Sequence, residues 1–167
     1  GGGPERYVEI WNLVFMQYNR TADGELLELP KRNIDTGAGL ERILAVLQDT
    51  HSVFETDVLR RILAVAEDRT GVRYGASEAS DVSLRILAEH GRAMTFLIAD
   101  GVVPSNEDRG YVLRRIIRRA VRHAFLLGTD DSVTPALVEA TAETMGEAYP
   151  DVLKQAGAIA KVAGREE

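Results

Sequence analysis

The sequence predicts an α+β protein that is mostly α, in which a short antiparallel β-hairpin and a strand-turn-helix segment precede a helical region. Residues 7–30 indicate the hairpin, because they combine β-forming residues and alternating polarity around a Thr21-Ala22-Asp23-Gly24 turn. Apolar residues at helical spacing after about residue 54 indicate the helical region. The chain has 167 residues, 45% of them hydrophobic and 28% charged, as is typical of one globular domain or two small ones.

The hairpin is predicted to pair residues 7–20 with a short returning strand, 26–29, that ends at Pro30. Residues 13–16 are apolar on both faces, as in a strand that is covered on both sides. Because a two-stranded ribbon is marginal in water, this pattern indicates a larger sheet, which the sequence does not visibly contain. A strand end and a glycine turn at residues 33–39 then lead into a helix at 40–48.

Five further helices are predicted, in chain order, at about residues 56–68, 81–99, 110–127, 135–147 and 150–163. Thr56 or Asp57 is expected to cap the first of them, and Ser80 or Asp81 the second. Gly91 interrupts the pattern of the second, where glycine costs about 1 kcal/mol relative to alanine. The core positions expected in this helix are Leu84, Leu87, Met94, Leu97 and Ile98.

Several classes of protein are disfavoured by composition. The chain has no cysteine, which excludes disulfides and thiolate metal sites, and its three histidines are too widely spaced to suggest zinc. No apolar run approaches the ~20 residues that a membrane span needs. Residues 1–4 lack the features of a signal peptide, and the missing first Met suggests an excised or processed piece. We therefore expect a soluble, cytoplasmic chain without a protein-bound metal.

The net charge is −6, but basic and acidic residues are concentrated in different parts of the chain. Residues 104–128 carry six arginines and two acids, whereas residues 129–167 carry eight acids and three basic residues. Screening limits the reach of each charge to roughly 8–10 Å, so a local basic stripe can bind phosphates whatever the total.

The glycine turn at residues 35–42 is the first segment whose residues could bind a ligand. Gly37 and Gly39 would let the backbone approach a ligand closely, and the following helix offers its first N–H groups to an anion. Arg42 could bind a phosphate, and Asp35 could bind an ammonium group. The alternative is an ordinary strand-to-helix connection with Arg42 on the surface, and G-x-G alone does not decide between them.

The helix at 110–127 carries what we call the arginine face, which consists of Arg114, Arg115, Arg118, Arg119 and Arg122. Like charges at i and i+4 repel, so this face is most easily explained by a phosphate partner or by the acidic C-terminal helices. In the loop before it, Ser105 and Asn106 could read base edges. The alternative is that this loop only caps the helix.

Three segments in this order resemble the alanyl-tRNA synthetases, a family of class II aminoacyl-tRNA synthetases. They are EIWNLVFMQYNR (9–20), IDTGAGLERILAVLQ (34–48) and TFLIADGVVPSNEDRGYVLRRIIRRAVRH (95–123). The resemblance implies that residues 1–50 are the C-terminal part of the catalytic core. Residues 51–167 would then be part of the helical domain that recognises the tRNA acceptor stem.

The resemblance also assigns roles in the catalytic core. Gly37, Gly39 and Arg42 belong to motif 3, whose arginine is a catalytic residue that contacts the triphosphate of ATP, together with Mg²⁺. Asp35 and Asn12 match residues that hold alanine.

For the helical domain, the resemblance implies binding of the tRNA(Ala) acceptor stem and recognition of its G3·U70 pair. The RNA-binding residues it implies are Asn106, Arg109, Arg114, Arg115, Arg118 and Arg122. Class II motifs 1 and 2 and the editing domain have no counterpart in these 167 residues. We therefore expect little ligase activity from this chain without the rest of a synthetase. Two alternatives stay open: a stand-alone acceptor-stem binding module without catalysis, and an inactive piece whose basic face is neutralised by its own acidic helices.

Overall fold

A computed structural model describes residues 7–167, so the segment 1–4 used in the signal-peptide argument lies outside the described residues. The chain divides into two compact units, one that ends at Val53 and one that extends from Phe54 to Glu167. The elements are β1 (Trp11–Arg20), β2 (Leu26–Ala38), α1 (Leu40–Leu47), α2 (Asp57–Thr70), α3 (Glu78–Ala99), α4 (Asp108–Leu126), α5 (Thr134–Met145) and α6 (Pro150–Glu166). The predicted fold class, α+β and mostly α, is confirmed.

β1 and β2 form the antiparallel hairpin, but the predicted end of the second strand at Pro30 is wrong. β2 continues to Ala38, because the pairing register shifts where the proline lies. Met16 pairs with Asn33, whereas Tyr18 pairs with Glu28. Proline has no N–H to donate to the ladder, and this irregularity takes it out of the pairing without ending the strand.

The apolar middle of the hairpin is open to solvent on both faces, contrary to the expectation that it is covered. Leu13 is 56% exposed and Phe15 is 66% exposed. Residues 7–53 contain no buried residue. Within the described part of the chain the sheet has two strands, and a two-stranded sheet cannot cover itself.

The second unit is a helical bundle with its own core. α3 lies at its centre and packs against α2, α4, α5 and α6. Three of the core positions predicted in α3, Leu84, Leu87 and Met94, are fully buried. The other two, Leu97 and Ile98, pack against the core while partly exposed.

The helix ends show where local sequence reasoning succeeded and failed. Thr56 occupies the N-cap of α2, as predicted, and α2 ends at Gly71 in the left-handed conformation. α3 begins earlier than predicted: Ser77 is its N-cap, and Ser77 and Ser80 each accept the other's backbone N–H at 3.1 Å. Ser80 is therefore the reciprocal partner in a capping box, in the position that glutamate usually fills.

The start of α5 is capped from the far end of α6. The Glu167 carboxylate accepts the backbone N–H groups of Val133 at 2.9 Å and Thr134 at 3.2 Å. It also accepts the hydroxyls of Ser132 and Thr134. A carboxylate at a helix N-terminus satisfies free N–H groups and favours the helix dipole, so this contact joins the last two helices.

Candidate functional site

Asn12, Asp35 and Gly37 lie on one face of the β-hairpin. In the register of the sheet Asn12 pairs with Gly37, and Val14 pairs with Asp35. Paired residues in an antiparallel sheet share a face, as do residues two apart on one strand. Asn12 and Asp35 are therefore diagonal neighbours, about 7–8 Å apart by typical sheet geometry. An amide and a carboxylate at this separation can hold two ends of one small polar ligand.

On the opposite face of the hairpin, a side-chain hydrogen bond joins the two strands. The indole Nε1 of Trp11 donates a hydrogen bond to the hydroxyl of Thr36. Trp11 lies next to Asn12, and Thr36 lies between Asp35 and Gly37. This contact therefore ties the two strands at the point where the candidate ligand-binding side chains lie. Sequence reasoning did not find this pair, because its two residues are 25 apart in the chain.

Arg42 lies in the first turn of α1 and folds back towards the chain before β1. Its Nη1 donates to the backbone carbonyl of Glu9 at 2.6 Å, and the N–H of Gly39 donates to the carbonyl of Ile10 at 3.0 Å. A β-carbon at Gly39 would stand 3.2 Å from Arg42 Cδ, whereas one at Gly37 would meet nothing within 4 Å. The glycines thus supply space for the guanidinium and for a ligand. The cation beside a helix N-terminus is a suitable partner for phosphate.

Two members of the arginine face converge on one carboxylate. Arg114 Nε and Arg118 Nε donate to Glu166 Oε1 at 2.7 and 3.0 Å. The Glu166 side chain is 12% exposed and that of Arg114 is 28% exposed. The hydrogen bond from Arg114 is the largest influence on the pKa of Glu166, and it lowers that pKa against the opposing effect of burial. Neutralisation by the acidic C-terminal region therefore applies to these two arginines, of which Arg118 is still 65% exposed.

The other three arginines of the face are also exposed. They are Arg115, Arg119 and Arg122, and the guanidinium of Arg115 lies 5.8 Å from the centre of the Tyr111 ring. Arg109 lies in the first turn of α4 and is also exposed. A row of exposed guanidinium groups along one helix is suited to contact successive phosphates of a nucleic-acid backbone.

The loop before α4 lines a cleft of about 740 Å³ formed by residues 100–103 and 105–110. Asn106 lies in this lining, and its Oδ1 accepts a hydrogen bond from Nη1 of Arg114. The Ser105 hydroxyl donates to the carbonyl of Glu107 at 2.8 Å. Gly110 allows the loop to rest on the first turn of α4, because a β-carbon there would overlap Ser105 and the Val103 carbonyl.

Glu166 is the residue of this site that sequence reasoning missed. It is 52 residues from Arg114, and nothing in its local sequence distinguishes it from the other C-terminal acids. The structure thus joins Asn106, Arg114, Arg118 and Glu166 in one network. Asn12, Asp35, Gly37, Gly39 and Arg42 belong to the other unit.

Within residues 7–167, no helix is both long and apolar enough to cross a membrane. The same residues hold no cluster of three or more histidine, aspartate or glutamate side chains able to bind a metal ion.

The comparisons with known proteins agree on one family. The family model described as tRNA synthetases class II (A) matches residues 3–167. The alanine–tRNA ligase of Thermotoga maritima is 51% identical over 162 residues, which cover 97% of this chain and 19% of that protein. The corresponding values are 53%, 98% and 18% for the ligase of an Anaeromyxobacter species, and 54%, 99% and 19% for that of Pseudoalteromonas translucida.

This chain spans about a fifth of the length of the curated relatives it matches. The resemblance seen in the sequence is confirmed over nearly the whole chain. Because the family model covers residues from both units, the chain belongs to the class II (A) tRNA synthetase family.

Proposed function

We propose that this chain is the part of an alanine–tRNA ligase that contains the end of the catalytic core and, after it in the sequence, the start of the acceptor-stem recognition domain. The complete protein would activate alanine with ATP and transfer it to the 3′ end of tRNA(Ala) in the cytoplasm. Residues 1–50 would contribute to activation and residues 51–167 to RNA binding. Identity of 51–54% to alanine–tRNA ligases over 97–99% of the chain supports this proposal.

In the first unit, Asp35 would bind the ammonium group of alanine, and Asn12 would hold the amino acid beside it. Their shared face of the hairpin supports this pairing. Arg42, with Gly37 and Gly39, would hold the triphosphate of ATP, which supplies the activating phosphoanhydride bond. Such a reaction depends on positioning and on charge neutralisation. One arginine provides only part of that, so we expect little ATP–pyrophosphate exchange from this chain alone.

In the second unit, the cleft beside Asn106 would receive the minor groove of the acceptor stem near G3·U70. The single observation that carries this function is the position of the Asn106 amide in the cleft, held by Arg114 at the start of the arginine face. A base-reading group next to a row of phosphate-binding groups is the arrangement that sequence-specific RNA binding requires. The proposed contacts are Asn106, Arg109, Arg114, Arg115, Arg118 and Arg122.

The test is binding of an acceptor-stem hairpin with G3·U70 and of the same hairpin with G3·C70, at about 50 and 200 mM salt. We expect tighter binding of the wobble hairpin, and steep weakening of both by salt. Arg122→Ala should weaken both hairpins and reduce the salt slope by about one. Arg69→Ala, which removes the same charge from an exposed position on α2, is the matched control. Weak binding that ignores salt would contradict the proposal.

A second function, an acceptor-stem binding module without catalysis, is favoured by one observation. All buried residues of the described chain lie in residues 54–167, so the helical unit has a core of its own. Alanine-dependent ATP–pyrophosphate exchange would exclude the non-catalytic module, but its absence would not separate the two functions. RNA binding without detectable exchange fits both this module and our expectation for the isolated chain. Saturable binding of ATP that Arg42→Ala abolishes would favour the synthetase function.

A further inference from the structure

Glu166 connects α6 to the RNA-reading loop through two consecutive contacts. Its Oε1 accepts from Arg114 Nε at 2.7 Å and from Arg118 Nε at 3.0 Å. Arg114 in turn donates from Nη1 to the Oδ1 of Asn106. Three separate segments of the helical unit are thus joined by side chains alone.

The chemistry of these contacts fixes which way the Asn106 amide faces. A guanidinium has five donors and no acceptor, so the group that Asn106 turns towards Arg114 must be its oxygen. The Nδ2 amine, with its two donors, is then left for a ligand. In the shallow minor groove of RNA it would meet acceptors, namely a base O2 or N3 atom or a ribose 2′-hydroxyl. An amide free to rotate would offer an acceptor as readily as a donor.

The position of Arg114 beside Asn106 requires a stabilising contact. Arg118 lies four residues along the same helix, and like charges at this spacing repel. Glu166 removes this repulsion, because one carboxylate oxygen accepts from both guanidinium groups. The hydrogen bond from Arg114 also lowers the pKa of Glu166, so the carboxylate stays charged and the contact persists throughout the neutral range.

We propose that Glu166 is a positioning residue for base-pair selection: it holds Arg114, and Arg114 holds the Asn106 amide with its amine directed at the RNA. This inference rests on the proposed function for its consequence in RNA binding. The positioning itself is a property of the free protein and can be measured without RNA.

The test uses Glu166→Ala and Glu166→Gln in the full 167-residue chain. Asp151→Asn is the matched control, because it removes one acid from the same helix at an exposed pair with Lys154. The first measurement is the affinity ratio between the G3·U70 and G3·C70 hairpins. The second is the NMR signal of the Arg114 Nε–H and of the Asn106 side-chain amide in the free protein.

Glu166→Ala is expected to reduce the affinity ratio about tenfold, the equivalent of one well-placed base contact. The affinity for the G3·C70 hairpin should not fall, because the variant has lost a negative charge. The Arg114 Nε–H should exchange faster with water, and the Asn106 amide signals should move towards those of a free asparagine. Glu166→Gln, which can still accept hydrogen bonds, should give intermediate values, and Asp151→Asn should match the wild type.

A folded Glu166→Ala variant with an unchanged affinity ratio and unchanged Arg114 and Asn106 signals would overturn the inference. Equal loss of affinity for both hairpins with lowered thermal stability would also overturn it, because it would indicate a merely structural role. Failure of the proposed function would be seen in the wild type instead, which would then bind the G3·U70 and G3·C70 hairpins with equal affinity. The NMR signals would still decide whether Glu166 positions Asn106.

Discussion

The backbone of Gly91 in α3 lies so close to Leu137 in α5 that a β-carbon at Gly91 would stand 2.9 Å from the Leu137 β-carbon. We expect Gly91→Ala to destabilise the chain by about 1–3 kcal/mol through overpacking, although alanine is the better helix former by about 1 kcal/mol. Urea unfolding followed by circular dichroism measures the difference.

Gly157→Ala is the matched control, because a β-carbon at Gly157 in α6 would meet nothing within 4 Å. This variant should gain about 0.5–1 kcal/mol from helix propensity. Equal effects of the two substitutions would contradict close packing of α3 against α5.

Gly110→Ala should impair RNA selection, although residue 110 has no side chain to contact RNA. The added methyl group would overlap Ser105 and the Val103 carbonyl, and the loop that carries Asn106 would have to move. We expect the affinity ratio between the G3·U70 and G3·C70 hairpins to fall as far as in Asn106→Ala. Selectivity retained in Gly110→Ala, with a normal fold, would show that the position of the loop does not matter.

Glu67 of α2 is 3% exposed and should make the chain sensitive to acid. Burial is the largest influence on the pKa of Glu67 and raises it. The effect of burial is outweighed by hydrogen bonds from Arg60 and the Tyr74 N–H and by the positive charges of Arg60 and Arg73. Together they bring the pKa of Glu67 below its ordinary value of 4.5. The stabilisation is thus complete above about pH 4.5 and is lost as the pH falls through the lower folded-state pKa.

Glu67→Gln tests this at several pH values by thermal unfolding. It should destabilise the chain by about 1–3 kcal/mol at pH 7, and the difference from the wild type should narrow near pH 3. Asp68→Asn removes an exposed acid next to it in the sequence and should change stability by less than about 0.5 kcal/mol. A difference that persists unchanged at pH 3 would contradict the assignment.

His90 should give a second, separate loss of stability nearer neutrality. Burial is the largest cause that lowers the pKa of His90 from 6.5; Glu89 opposes it, and Arg119 and His123 add to it. The Nε2 of His90 is buried and accepts or donates no hydrogen bond among the described residues. As the pH falls, His90 is therefore protonated in the unfolded chain before it is protonated in the folded chain. The free energy of unfolding thus decreases as the pH drops below 6.5.

His90→Leu should flatten the stability curve below pH 6.5, and it should raise stability at pH 7 because no polar atom is left unpaired. His51→Leu, which alters an exposed histidine outside the helical unit, is the control. An unchanged pH dependence in His90→Leu would assign the loss to another group.

The helices could be predicted from the sequence because their signals are local. Leu84, Leu87 and Met94 recur at helical spacing, and Thr56 is a favoured cap residue. The start of α3 was placed too late because the capping box uses Ser80 where glutamate is the recognised signal. The strand β2 was ended too early, because a proline usually ends pairing and nothing local predicts the irregularity that accommodates Pro30.

The arrangement of the candidate site depended on contacts that are distant in the sequence. That Asn12 and Asp35 share a face follows only from the register, which a shift of one residue would reverse. The contact between Arg114 and Glu166 requires the packing of α4 near the end of α6. Only the identity of the RNA- and substrate-binding candidates could be predicted in advance, and those roles are still proposals.

The open hairpin has a calorimetric consequence. The heat capacity change of unfolding arises from surface that is newly exposed to water, and residues 7–53, none of which is fully buried, have comparatively little such surface. The 114 residues from Phe54 to Glu167 would contribute about 1.4–1.7 kcal/mol/K, whereas a chain of 167 packed residues would contribute about 2.0–2.5 kcal/mol/K. In a scanning calorimeter this protein should therefore melt as if it had roughly two thirds of its actual length.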